Sequence, residues 1–316
     1  MSGDVMRLAV DASRRPPGRY HGSKHTIGPW IIGKLPADHD TYVEPYCGMA
    51  NVLMLKERSL IEAINDLNGD VVNFFRELRE RPEELIRVID LTPFAFEEWQ
   101  LSYMPAADPL ERARRFYVRS FLSIAGPTSS SANPGFRRQK KFSRGKDGGK
   151  TMTSAAMTFA DVEHLWTIAR RLKGVTIESE DALRLMRRYD LERTLFYVDP
   201  PYYPETRVYA ARSAYSHEMA HGDHVELLGV LKGLRGMVAL SGYRCELYDD
   251  ELRDWARHDR SFRVNGAGSR VESLWLNPAA EAARSRPHLD ERRRAAGRQQ
   301  ASLFDGASES VSRDAG

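Results

Sequence analysis

The chain has 316 residues, of which 41% are hydrophobic and 29% charged, a balance that suits one large soluble domain or two smaller ones. No apolar run approaches the roughly 20 residues that span a bilayer, and the N-terminus lacks the apolar core of a secretory signal. Cys47 and Cys245 supply neither a disulfide framework nor a thiolate zinc site, so no metal is expected and the setting reads as reducing and cytoplasmic. A net charge of +3 does not by itself imply nucleic acid, but the stretch 135–150 sets Arg137, Arg138, Lys140, Lys141, Arg144, Lys146 and Lys150 against the lone Asp147.

Residues 1–19 read as a disordered lead-in. Gly22-Ser23 then forms a tight turn presenting Lys24, ahead of a helix over 27–35. A strand over 41–43 runs into Glu44-Pro45-Tyr46-Cys47-Gly48-Met49-Ala50-Asn51 and a helical 52–55. Strand, small-residue turn and helix make the first half of a nucleotide-binding βαβ unit. A second strand over 62–65 ends at Asp66, at the distance from the Gly48 turn expected of a ribose-binding acid. Asn68 caps a helix over 69–81.

From 82 to 173 helical patterns dominate (83–89, 94–103, 110–124 and 159–172), broken by a long Ser/Gly/Lys/Arg-rich loop at 126–153. The block reads as a helical insertion in an α/β sheet, and so long a loop is functional or disordered. Strand patterns resume at 175–178, 195–198, 237–240, 261–264 and 273–276, bringing the total to seven. Helices are expected at 182–189, 225–234 and 247–256. A loop with Tyr203, Tyr209 and Tyr215 follows the fourth strand, and 278–316 reads as a flexible tail.

The most specific stretch is Leu195-Phe196-Tyr197-Val198-Asp199-Pro200-Pro201-Tyr202. A buried apolar strand stops abruptly at two prolines, which cannot continue a ladder. A carboxylate, a stiff carbonyl and an aromatic ring are thereby held at a strand end, where open α/β sheets bind ligands. Asp66 fits either a ribose diol or a turn cap. Asp181 fits either the cap of its following helix or an acceptor for an adenine amino group. Lys24 is a solvated lysine or the partner of a ligand carboxylate. The basic loop, with Phe136 and Phe142 interspersed, is a solvated loop or a phosphate-tracking one. Arg270 and Glu272, near the last hairpin, read as a surface pair or as functional residues.

Taken together, Gly22-Ser23-Lys24, Val43 to Ala50, Asn65-Asp66-Leu67-Asn68, Tyr197 to Tyr202 and Arg270 to Asn277 resemble, in kind and order, the D12 class of DNA adenine methyltransferases, the Dam-type enzymes. The resemblance covers roughly 20–277. It departs at Ala50, where the family often has a second glycine. It implies a Rossmann-like seven-stranded sheet with the last strand antiparallel, forming an S-adenosylmethionine-dependent catalytic domain from 20–81 and 174–277, with 82–173 as target-recognition insertion. It implies that Tyr20, Lys24, Pro45, Tyr46, Gly48, Asp66, Asp181 and Asp199 bind the cofactor, with Lys24 and the Tyr46–Gly48 backbone at its methionine end, Asp66 at the ribose and Asp181 at the adenine. Asp199 and the Pro200 carbonyl would accept the amino protons of a flipped adenine in double-stranded DNA, and Tyr202 would stack on the base. Arg137, Arg138, Lys140, Lys141, Arg144 and Arg270 are the expected DNA contacts. A monomer or weak dimer is expected, with a cognate restriction endonuclease as a possible partner. A cytosine-N4 or RNA adenine methyltransferase, or a non-catalytic protein that binds DNA and the cofactor, stays open as an alternative.

Overall fold

The computed structural model describes residues 15–124, 127, 135–138, 155–206, 218–264 and 268–285. They contain one seven-stranded sheet of order β3-β2-β1-β4-β5-β7-β6. Its strands are β1 (Thr41–Glu44), β2 (Ile61–Asn65), β3 (Val175–Glu178), β4 (Thr194–Val198), β5 (Met237–Gly242), β6 (Ala256–Val264) and β7 (Gly268–Leu276). β1 to β5 pair in parallel, and β7 runs antiparallel to both β5 and β6.

The helices are α1 (Gly28–Ile32), α2 (Asn51–Leu55), α3 (Gly69–Glu80), α4 (Pro82–Asp90), α5 (Phe96–Leu101), α6 (Pro109–Leu122), α7 (Ala155–Ala160), α8 (Glu163–Leu172), α9 (Ala182–Arg188), α10 (His221–Gly233), α11 (Glu246–Glu251) and α12 (Pro278–Arg284). None is long and apolar enough to cross a membrane.

β1 and β4 are buried along their whole length, as central parallel strands covered on both faces must be. Their side chains alternate between two cores. Tyr42, Leu195 and Tyr197 join the larger core with α3 to α8, while Val43, Phe196 and Val198 join the smaller one with α9 to α11. The direction of winding reverses between β1 and β4, so the crevice for a ligand lies outside their carboxyl ends.

The helices of 82–173 share their core with α3. Phe74 lies 5.6 Å from Phe116 and 6.3 Å from Tyr117, ring centre to ring centre, and Tyr117 lies 5.8 Å from Phe159. A buried ionic knot ties the same block to the sheet. Glu62 of β2 accepts from Arg171 of α8 at 2.5 and 2.8 Å, from Lys56 at 3.1 Å and from the Ser59 amide at 3.0 Å.

Six local expectations change. The helix expected over 159–172 is two helices, α7 and α8. Asp161 sits at the break, and Arg15 takes both its carbonyl (2.9 Å) and its carboxylate. Residues 15–19, read as disordered lead-in, thus make specific contacts. α10 begins at His221 rather than 225, because Asp223 accepts from the Ala220 amide at 2.7 Å and caps an extra turn. The helix expected over 247–256 stops at Glu251, and Ala256 opens β6. The β6–β7 hairpin pairs nine residues a side instead of four. Finally, the segment read as a flexible tail starts with α12, capped by the Asn277 side chain at 2.9 Å and buried at Ala280.

Candidate active site

The turn after β1 is shaped by backbone need. Gly48 and Ala50 both take a positive φ of 47°, the left-handed region that favours glycine. Asp66 holds this turn from the end of β2: one carboxylate oxygen accepts from the Gly48 amide at 2.9 Å and the other from the Asn68 amide at 2.8 Å. Asn65 ties three strand ends together, donating to the Pro45 carbonyl at 2.9 Å and the Glu180 carbonyl at 3.0 Å, and accepting from the Glu180 amide at 2.9 Å. A Cβ on Gly48 would stand 3.1 Å from the ring of Tyr20, so the glycine also makes room for that ring.

Glu44 fills the start of α2, accepting from the Leu53 amide at 2.6 Å and from the Tyr42 hydroxyl at 2.9 Å. An amide at that helix start is therefore met by a side chain of the protein itself. Burial pushes the Glu44 carboxyl up to about 8, against the pull of these two bonds.

At the neighbouring end of β4, Asp199 meets Lys24, with Nζ 2.7 Å from Oδ2. Lys24 is 6% exposed, which settles it as a buried residue rather than a solvated one. Its ammonium also donates to the Gly22 carbonyl at 2.8 Å and lies 4.8 Å from the centre of the Tyr202 ring. Burial raises the Asp199 carboxyl above its ordinary value although Lys24 opposes it. Its Oδ1 is buried and has no hydrogen-bond partner among the described residues.

Tyr202 packs edge-to-face on Tyr243 at 4.6 Å and donates its hydroxyl to Glu272. Pro200 is buried behind the turn, and Pro201 lines the cavity beside it. Glu272 is only 1% exposed, so the reading of Arg270 and Glu272 as a surface pair is replaced. Arg270 instead donates to the Tyr243 hydroxyl at 3.1 Å. The sequence offered Glu272 as a surface or a functional residue without deciding, because an acid in a hairpin strand carries no local signal of its burial or of its Tyr202 partner.

These ends enclose one cavity of about 360 Å³ that reaches from Tyr20 and the Gly48 turn to Asp199. Glu44, Asp66, Asp181, Asp199, Asp223 and Glu226 contribute to its lining, and Lys24 is the single lysine or arginine among the described lining residues. Pro45 and Tyr46 also line it. Asp181 caps α9, accepting from the Arg184 amide at 2.8 Å, and it also lines the cavity.

Of the expected DNA contacts, Arg137 donates to the Ser123 carbonyl at 3.2 Å, and burial lowers its guanidinium to about 10. Arg138 lies 4.7 Å from the ring centre of Phe96. Lys140, Lys141 and Arg144 fall outside the described residues, as do Tyr209 and Tyr215 of the loop after β4.

A parallel sheet closed by an antiparallel β7 between β5 and β6, with its cleft at the β1/β4 switch point, is a Rossmann-like methyltransferase fold. The profile of the D12 class N6 adenine-specific DNA methyltransferases matches residues 20–258, and the chain belongs to that family. It is similar to the Type II methyltransferase M1.LlaDCHI of Lactococcus lactis subsp. cremoris, with 23% identity over 272 residues, 81% of this chain and 90% of that protein. The protein is thus a DNA methyltransferase.

Proposed function

We propose that the protein transfers a methyl group from S-adenosylmethionine to N6 of an adenine flipped out of double-stranded DNA. The observation that carries this reading is the placement of Asp199. It lines the same cavity as Gly48 and Asp66, and its Oδ1 is a buried acceptor with no hydrogen-bond partner among the described residues.

The cavity suits this donor. Its volume falls within the ~300–1,000 Å³ of small-ligand sites. Its carboxylates favour a ligand carrying a sulfonium and an ammonium, and they would oppose the phosphates of a dinucleotide. Gly48, Lys24 and Tyr20 would hold the amino-acid end, Asp66 the ribose and Asp181 the adenine. The bound donor supplies a methyl group on a positively charged sulfur.

The amino nitrogen of adenine is a weak nucleophile, because its lone pair is delocalised into the ring. Asp199 and the Pro200 carbonyl would accept hydrogen bonds from its two protons, which localises the pair and offsets the positive charge that grows in the transition state. The prolines fix both acceptors before the base arrives, so little reorganisation is needed. Tyr202 would position the base, and the turn would set nitrogen and methyl in line. Flipping costs a few kcal/mol, which the basic loop on 126–153 and Arg270 would offset by holding the backbone.

Asp199→Ala removes one acceptor and leaves the Gly48 and Asp66 region intact. Methyl transfer should fall by at least about 10²–10³-fold, with donor affinity by calorimetry little changed. Near-normal transfer in that variant would sink the assignment. The reading extends to a cytoplasmic monomer or weak dimer acting beside a cognate endonuclease; coexpression with neighbouring genes and sedimentation test those two points.

A further inference from the structure

A second cavity lies outside the site described above, where α6 meets the start of α3. It holds about 300 Å³ and is lined by Asp70, Tyr103, Arg112, Arg115 and Arg119, together with the turn that follows α5. The three arginines are spaced three and four residues apart, so they share one face of α6, opposite the buried Ala113, Tyr117 and Phe121. A stripe of like charge repels itself, and one carboxylate holds it in place. Asp70 accepts from Arg112 Nε at 2.5 Å and from Arg119 Nη2 at 2.7 Å. Arg115 donates to the Met104 and Pro105 carbonyls at 2.8 and 3.0 Å, and Arg119 to the Ser102 carbonyl. The Arg119 guanidinium also lies 5.8 Å from the centre of the Tyr103 ring.

The charges of this cavity do not cancel. Asp70 is the one acid among its described lining residues, against three guanidinium groups. Glu111 takes Arg115 from outside the cavity and is shared with Arg114. Of the Arg112 nitrogens, only Nε bonds to the described residues, and its side chain is 43% exposed at the rim. Burial lowers the Arg119 guanidinium; Asp70 opposes this and Arg112 adds to it, so an anion between the two arginines would relieve both costs. The position is also telling. Asp70 follows Asp66 by four residues, so the cluster stands on the carboxyl edge of the sheet, where Asp199 ends β4. β2 and β4 flank β1, which sets their ends about 10 Å apart at ~4.8 Å per strand. At ~3.4 Å of rise per base pair this is about three steps along a duplex.

Resting on the methyltransferase reading, we propose that Arg112, Arg115 and Arg119 form a seat for one backbone phosphate of the DNA, a few base pairs from the target adenine. The ligand is a phosphodiester, whose two free oxygens suit the forked N–H groups of a guanidinium. Asp70 orients Arg112 and Arg119 before DNA arrives, and the phosphate takes N–H groups that Asp70 leaves. The seat is separate from the basic stretch 135–150. It reads no base; it fixes the register and orientation of the duplex while the target base is presented to the Asp199 turn. No covalent bond is made or broken there.

Fluorescence anisotropy at several salt concentrations measures the affinity of wild type, Arg112→Gln and Asp70→Asn for a duplex that the wild type methylates. Duplexes with a single uncharged methylphosphonate linkage, moved one position at a time along each strand, locate the phosphate. Arg112→Gln should bind about tenfold more weakly, with a salt dependence flatter by up to about 0.9 and donor affinity unchanged. One methylphosphonate position, a few base pairs from the target, should weaken the wild type by a similar factor and Arg112→Gln no further. Asp70→Asn removes the acid that competes for two guanidinium groups, and should bind DNA several-fold tighter. Wild-type affinity and salt dependence in Arg112→Gln overturn the seat, as does a loss that adds to every methylphosphonate position alike. A lower Tm in both variants with no gain of affinity in Asp70→Asn overturns it too, and leaves the cluster a structural tie between α3 and α6. Calorimetry with inorganic phosphate at constant ionic strength separates the sources of the anion. Phosphate binding that Arg112→Gln abolishes, with no coupled backbone position, overturns the DNA assignment in favour of a free anion. A wild type that methylates no duplex would instead refute the methyltransferase reading itself.

Discussion

Lys24 pairs with Asp199, and its charge lowers the proton affinity of both Asp199 and the buried Glu272. A methionine at this position keeps much of the apolar stem and removes the ammonium. Asp199 accepts the amino protons only when ionised, so the pH–rate profile should have a rising limb, and Lys24→Met should shift that limb to higher pH. An unmoved limb in a folded variant would show that the ion pair does not control ionisation. The turn after β1 makes a second prediction at this scale. Gly48→Ala places a side chain at φ 47° and 3.1 Å from Tyr20. It should cost about 1–2 kcal/mol for the left-handed backbone alone, read as a lower Tm, and weaken donor binding. Ala50 already bears such a backbone, and its methyl is fully buried in the larger core. Relief of that strain in Ala50→Gly is offset by about 0.8 kcal/mol of lost methyl burial and by a freer unfolded chain, so stability should change by less than about 1 kcal/mol.

Among the elements, the join between β2 and α8 is the most exposed to a single change. Burial alone would raise the Glu62 carboxyl, yet Arg171 and Lys56 hold it below its usual value. A carboxyl depressed in the folded state stabilises fully above the ordinary carboxylate range and loses that contribution as pH falls through its folded value. Acid unfolding should therefore begin at higher pH in Glu62→Gln than in wild type. The variant should also lose about 3–5 kcal/mol at neutral pH, because Arg171 and Lys56 are left buried without their counter-charge. Denaturant unfolding monitored across pH reads both effects. The elements also show which signals were legible. β4 holds the apolar run Leu195 to Val198 and β1 the pair Tyr42 and Val43, and the existence of both strands follows from that pattern. After its opening Ala256, β6 carries Arg257, His258, Asp259 and Arg260, polar residues that suit an edge strand and mask its period. The α7/α8 break has no proline or glycine to announce it, and depends on Arg15, 146 residues away.

In the whole molecule, topology does the work that motifs only suggest. The switch point between β1 and β4 brings the Gly48 turn, Asp66 and Asp199 to one crevice, although β4 enters the sheet only after the helices of 82–173. Those stretches were readable because each is local: a glycine turn, an acid at a strand end, two prolines after an apolar run. The Lys24–Asp199 and Tyr202–Glu272 pairs were not, because a residue's partner across 175 or 70 positions leaves no mark on its neighbours in sequence. The shared core of α3 with α6 to α8 likewise makes the insertion part of one packed body rather than an appended module. Under the proposal that the basic stretch 135–150 contacts phosphates, replacing Lys140, Lys141 and Arg144 should flatten the salt dependence of DNA binding by up to about 0.9 per lost phosphate contact.

The most direct test incubates the protein with methyl-labelled S-adenosylmethionine and duplex DNA of varied sequence, digests the product to nucleosides and identifies the labelled one. The expected result is label in N6-methyladenine alone, confined to duplexes that share one short sequence and absent with Asp199→Ala. Label in N4-methylcytosine, label in RNA but not DNA, or donor binding with no transfer to any duplex would contradict the account.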